Sequence, residues 1–333
     1  MIPHSPQHPL VLVTGATGFI GRHLCKHLLA KGYIVRGTYR NNLPGSLPTQ
    51  IEWVKIGDIG PDTDWTDALS SVDYVVHLAA LAHQLGQEGK RRARDFVRVN
   101  SEGTRRLVEM VATCRDVRRF VFLSSIGAMR SFSASRITIT DPCVPDTDYG
   151  RSKLVAEQHI QNILQTNHTD WCIIRSTLVY GPGNPGNMSR LLKLIQARVP
   201  LPFGSIKNLR SFIFVGNLVD LIERCLVHPQ ASRRVFLASD GEDMSTPDLI
   251  RRIAQISGQS ATILPFPTSI LKLLGYIGDL LERFTGRSIG IDSYSIERLT
   301  RSLVIDPSSL GVINWHPPYS MDAGLRLTLE GSI

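Results

Sequence analysis

A chain of 333 residues with 42% hydrophobic and 20% charged residues can bury too much apolar surface to remain disordered or of low complexity. Its length exceeds the ~250–300 residues at which a single core stops growing, so one large α/β unit with an appended lobe is expected. Lys and Arg outnumber Asp and Glu by 37 to 29, and the resulting charge of +8 suits an anionic partner: a nucleotide, a nucleic acid or a membrane surface.

Short β-branched runs alternate with longer amphipathic stretches. LVLVT at 10–14 reads as a strand, and Ile20 to Lys31 as a helix that Gly32 ends. Strands follow at 33–39, 51–56 and 73–79, then helix over about 84–114 in two pieces. RRFVFLSS at 118–125 is a fifth strand, Tyr149 to about Gln165 a helix, and WCIIRS at 171–176 a sixth strand. Strand–helix alternation with short connections implies a doubly wound parallel sheet of Rossmann type, covered on both faces.

Beyond about residue 178 the texture changes. GPGNPGN at 181–187 and VPLPFG at 199–204 are rich in Pro and Gly. Helices are expected at 187–198, 217–228, 246–257, 267–285 and 294–302, forming a smaller, mainly helical substrate lobe. SFIFVGNLVDL at 211–221 has a strand-to-helix look, so the chain is expected to return to the sheet over about 211–238. The dinucleotide domain would then span 1–178 with that return, and the lobe 179–210 and 239–333.

No apolar run reaches the ~20 residues of a membrane span. The longest, Ile270 to Phe284, is broken by Lys272, Asp279, Glu282 and Arg283. MIPHSPQHPL lacks the basic start and apolar core of a signal peptide, so a cytoplasmic location is expected, without stable membrane insertion. Cysteines at 25, 114, 143, 172 and 225 are scattered and odd in number, which reads as buried thiols, and no histidine pair suggests a metal.

VTGATGFIG runs from the first strand into the first helix, with Gly15, Gly18 and Gly21 spaced three apart. Glycine tolerates the turn, and the helix start offers free N–H groups and a positive dipole end to a pyrophosphate. In this strand–turn–helix setting the triplet is a dinucleotide fingerprint. The second strand ends in GTYRNN, with no acid to grip a ribose hydroxyl. Arg40 there suits a 2′-phosphate, favouring NADP(H) over NAD(H).

Tyr149 and Lys153 form Y-x-x-x-K at a helix start and share one helix face. An ammonium beside a phenol favours phenolate, which makes Tyr149 a candidate general acid/base for alcohol–ketone interconversion. The strand ending in Ser124–Ser125 offers a hydroxyl for the same substrate oxygen.

TGATGFIG, HLAA at 77–80, SS at 124–125, YGRSK at 149–153 and VYGPG at 179–183 together resemble the extended short-chain dehydrogenase/reductases, over nearly the whole chain. The resemblance implies Ser125, Tyr149 and Lys153 as catalytic residues. It implies a cofactor path along Gly15, Thr17, Gly18, Phe19, Ile20 and Gly21, then Asp58 and Ile59 beside the adenine. Leu78, Ala79, Ala80, Asn100 and Ser124 complete that path.

VPLPFGSIKNLRS at 199–211, VGNLVDLI at 215–222 and SDGEDMSTPDLIRR at 239–252 are similar to a narrower group, bacterial reductases of 4-keto sugar nucleotides that form UDP-N-acetylquinovosamine. That likeness implies Asn187, Leu201, Phe203, Arg210 and Arg298, with Ser125, as substrate contacts, and a UDP-sugar rather than a nucleic acid as partner. A homodimer through the helices at 85–112 and 149–165 is implied too. Ile126 and Gly127 stand where family dehydratases carry acids, which argues against water elimination. Leu178 stands where many epimerases carry an asparagine.

The expected activity is therefore NAD(P)H-dependent reduction of a UDP-4-keto-6-deoxy-hexosamine, with UDP-sugar 4-epimerisation on retained NAD as the alternative. A dinucleotide sensor without catalysis fits less well, since it needs no proton relay. The basic run KRRAR at 90–94 reads as a solvated helix face, or as a contact for an anionic membrane.

Overall fold

The computed structural model describes residues 8–43, 48–81, 89–185, 187–285 and 293–331. The apolar run β1 (Leu10–Thr14) is buried at every position, as a strand covered on both faces must be. It is the third strand of a seven-stranded parallel sheet of order β3-β2-β1-β4-β5-β6-β9. The other strands are β2 (Ile34–Tyr39), β3 (Glu52–Lys55), β4 (Tyr74–His77), β5 (Arg119–Ser125), β6 (Asp170–Ser176) and β9 (Arg234–Ala238). Strand order reverses between β1 and β4, and a crevice opens beyond the carboxyl ends of strands at such a point.

Helix α1 (Phe19–Ala30) follows β1 and stops where Gly32 takes a φ of +84°. A short α2 (Thr66–Leu69) precedes β4. The long helix expected at 84–114 is α3 (Gly89–Phe96), one π-helical stretch over Val97–Glu102, and α4 (Gly103–Thr113). Its first residues, and the side chains of Lys90 to Arg92 in the basic run, lie outside the described residues. Helix α5 (Asp148–Ile163) starts on Thr147, whose hydroxyl accepts the Gly150 N–H at 3.0 Å.

The chain returns to the main sheet within the expected 211–238, but later than the stretch at 211–221 suggested. Residues Arg210–Phe214 form β8, which pairs parallel with β7 (Leu178–Tyr180) and antiparallel with β10 (Asp243–Met244) in a separate three-stranded sheet. The main-sheet edge at β6 is taken instead by β9, in the register Cys172↔Arg234. An apolar strand followed by a helix does not reveal which edge it joins; pairing is decided by long-range register. Between β7 and β8 lies α6 (Asn187–Gln196), and α7 (Val215–Val227) follows β8 and packs on α1. The lobe is completed by α8 (Thr246–Ile256), α9 (Thr268–Thr285) and α10 (Ser293–Thr300), and the described chain closes with α11 (Met321–Glu330). Two main core clusters lie on the two faces of the sheet.

Candidate active site

Gly15 leaves β1 with φ +70°, and a Cβ there would stand 2.8 Å from the Ala79 nitrogen. A Cβ on Gly21 would stand 2.2 Å from the Gly15 oxygen. Only glycine lets the turn, the first helix and the β4 end come this close. Gly18 caps α1 in extended conformation without a side-chain bond, so the N–H groups of Phe19, Ile20 and Gly21 have no partner within the helix and are left for an anion. The cradle fits a dinucleotide pyrophosphate. Thr17 and Phe19 also line an open cavity of about 750 Å³ with Arg22, His23, Lys26 and Pro182.

At the end of β2, Arg40 is not a lone cation. Its Nε stands 3.4 Å from Asp58 Oδ1, with both side chains about two-thirds exposed. The carboxylate missing from β2 thus arrives from the loop after its parallel neighbour β3. Ile59, next to it, presses so close to Gly103 that a Cβ there would meet Ile59 Cγ2 at 2.4 Å.

Beyond β4, the Leu78 N–H donates to the Thr14 carbonyl at 3.3 Å and the Ala79 N–H to the Thr14 hydroxyl at 3.2 Å; Ala80 lies between these contacts and Leu81. Buried Asn100 clamps Leu81: its Oδ1 accepts the Leu81 N–H at 2.7 Å, and its Nδ2 donates to the Leu81 carbonyl and to Ser152 Oγ. The π-helical stretch turns it inward. These bonds tie the chain beyond β4 to α5 through one buried amide.

Sequence reasoning passed over His77, which lies beneath. Thr104 donates to the Asn100 carbonyl at 2.6 Å, so its oxygen accepts from His77 Nε2–H at 2.9 Å. His77 Nδ1 then accepts the Thr14 hydroxyl at 2.6 Å. Burial, and secondarily the Lys153 charge, holds the imidazole neutral, with its pKa lowered to about 3.

The candidate catalytic trio comes together at the ends of β5 and α5. Ser125 Oγ accepts the Gly127 N–H at 3.1 Å, which leaves its proton to donate elsewhere. A Cβ on Gly150 would stand 2.1 Å from the Gly127 oxygen, so α5 closes tightly on the turn after Ser125. The Tyr149 ring meets Phe96 edge-on at 5.9 Å. One turn on, buried Lys153 donates to the Leu123 carbonyl at 2.8 Å and lies 4.4 Å over the Phe122 ring. Burial lowers its pKa to about 7, and the Glu157 charge opposes that fall. Ser124 donates to Glu157 Oε1 at 2.5 Å, so its hydroxyl is engaged beneath the site.

In the lobe, buried Leu201 bridges Ile263, with Phe203 half-buried beside it. Arg210 NH1 donates to the carbonyls of Arg298 and Arg301 at 2.9 and 3.2 Å. The two arginines that the resemblance implied as substrate contacts are thus neighbours at the end of α10. Asn187 begins α6, and its side chain lies outside the described residues.

A family model described as the NAD dependent epimerase/dehydratase family matches residues 11–238. Over 325 residues the chain is 35% identical to the UDP-glucose 4-epimerase of Vibrio cholerae, covering 96% of this chain and 94% of that protein. It is 27% identical to the N-acetyl-alpha-D-glucosaminyl-diphospho-ditrans,octacis-undecaprenol 4-epimerase of Escherichia coli O157:H7, covering 96% and 94%. The crystal structure of UDP-glucuronic acid 4-epimerase from Bacillus cereus in complex with NAD shares the fold, with a TM-score of 0.75, 23% identity and coverage of 97% and 96%. The family match runs from the first strand of the main sheet to its last, taking in every element that builds the crevice, and the chain belongs to the NAD dependent epimerase/dehydratase family.

Proposed function

We propose that the chain is a UDP-sugar 4-epimerase that works on retained NAD. The observation that carries this reading is the crowding at Gly127. A side chain there would begin 3.3 Å from Ser125 Oγ and 3.9 Å from the Tyr149 ring. Glycine there offers no acid for water elimination, and a larger residue would have to shift the Ser125 hydroxyl. What remains is one acid/base and one hydroxyl donor, enough to oxidise a secondary alcohol and restore it.

NAD, when bound, supplies hydride acceptance at C4 of the sugar and its return. Gly15, Gly18 and Gly21 would hold its pyrophosphate, and Asp58 its ribose end. Tyr149 takes the C4 hydroxyl proton and later gives it back. The Lys153 ammonium lowers the cost of the phenolate, and Ser125 donates to the C4 oxygen. The 35% identical relative named UDP-glucose 4-epimerase supports this reading over the 4-keto reduction expected from the sequence. The Asp58 carboxylate beside Arg40 likewise favours a free ribose hydroxyl over a 2′-phosphate.

Purified protein incubated with UDP-glucose or UDP-N-acetylglucosamine, without added cofactor, should yield the 4-epimer, and denaturation should release NAD. Stoichiometric consumption of NAD(P)H with a UDP-4-keto-6-deoxy sugar, and no epimer, would establish the reductase instead.

A further inference from the structure

Helix α9 carries an apolar face that the catalytic machinery does not use. Ile270, Leu273, Leu274, Ile277 and Leu280 recur at helical spacing, with Tyr276 at the margin, and all six are exposed by 41–65%. Single exposed hydrophobes are ordinary; a continuous stripe is not. The opposite side of the helix is fixed inward. Leu271 is buried against Ile206 and Ile296, with Phe203 and Phe266 around them. A Cβ on Gly275 would stand 2.9 Å from Ser293 Cα, so α9 and α10 are in close contact. The helix therefore cannot turn its stripe inward without losing this packing.

The polar groups of α9 are arranged to match. Asp279 Oδ1 accepts the Ser293 N–H at 3.1 Å and so faces α10 rather than the stripe. Lys272 is exposed beside the stripe. The chain as a whole carries +8. An apolar stripe with a lysine at its edge, on a protein carrying +8, is complementary to a bilayer with anionic headgroups. The size of the stripe points the same way. At 1.5 Å per residue it is only about 15–18 Å long. One helix face of that length falls well short of the ~800 Å² per partner that a stable dimer buries. Among the described residues no helix is long and apolar enough to cross a membrane, so contact would be at the surface.

We infer that α9 docks this protein on an anionic lipid surface, its stripe sunk among the headgroups and the substrate lobe held against the bilayer. The inference is independent of which sugar reaction the site performs, because lipid binding is read directly.

The test is co-sedimentation with vesicles of phosphatidylcholine and phosphatidylglycerol at 3:1, compared with phosphatidylcholine alone, using the full chain and the variant Leu273→Glu/Ile277→Glu. Both replaced residues are exposed, so the fold should survive, as thermal unfolding and unchanged epimerase turnover on a soluble UDP-sugar would verify. The wild type should bind the anionic vesicles at least tenfold more tightly than the variant, and more tightly than it binds phosphatidylcholine. Absence of vesicle binding, or equal binding by the two proteins, would overturn the inference. So would sedimentation equilibrium showing a wild-type dimer that the variant dissociates, since the stripe would then be covered by a second copy.

Discussion

Arg175 on β6 grips Glu157 on α5 through two nitrogens, Nε at 3.1 Å from Oε1 and NH2 at 2.6 Å from Oε2, and both side chains are buried. The same carboxylate accepts the Ser124 hydroxyl, and Ser124 and Arg175 face each other in the β5–β6 register. Ser124 lies between Leu123, whose carbonyl receives Lys153, and Ser125. One ion pair therefore ties together the two strands and the helix that carry the candidate catalytic groups. Glu157→Gln should destabilise the protein by about 3–5 kcal/mol, because Arg175 is left buried and unpaired. Urea unfolding measures this, and a loss below about 1 kcal/mol would mean that the pair does not hold the site together.

Tyr149→Phe should retain NAD and fold normally while turnover falls by roughly 10²–10⁴-fold, the worth of general acid–base catalysis. Steady-state rates beside a count of bound dinucleotide check this. Near-normal turnover would remove Tyr149 from the proton path.

Asp58→Asn should release Arg40 from its ion pair. A freed guanidinium would improve NADP(H) binding, which adds a 2′-phosphate, and the lost carboxylate would weaken NAD(H). A relative change of about 1–3 kcal/mol is expected, the range for hydrogen bonds to charged groups. Dissociation constants for both cofactors decide it; an unchanged ratio would show that the pair does not read the ribose.

His77 predicts a pH dependence of stability. Its pKa is lowered on folding from 6.5 to about 3, so the unfolded chain binds the extra proton first as pH falls. The stabilising effect of the neutral imidazole is complete above about pH 6.5 and is lost progressively as pH falls towards 3. The slope from this one group approaches about 1.4 kcal/mol per pH unit. His77→Gln cannot titrate, so between pH 6 and 4 its stability should fall less steeply than that of the wild type. Parallel slopes in urea unfolding would contradict the buried neutral assignment.

The glycine turn, Ser125, and Tyr149 with Lys153 were legible because each rests on local spacing: a strand running into a helix, a strand end, and one turn of helix. The parallel sheet was legible for the same reason, since runs such as LVLVT bury on both faces wherever they pair. Tertiary structure alone decided what meets across the fold. Asp58 reaches Arg40 only because β3 lies beside β2, so the end of β2 by itself did not tell which charges gather there. Arg210–Phe214 looked like a strand of the main sheet, yet long-range register placed it in a second one. Glu157 gave one signal, a carboxylate two turns beyond Tyr149 on the same helix face, but its partner Arg175 lies 18 residues away on another element. Helix α9 was predicted from its periodicity. Which side of it faces water depended on Leu271 finding Ile206 and Ile296, because a helix with apolar residues around most of its circumference does not itself specify the side it buries.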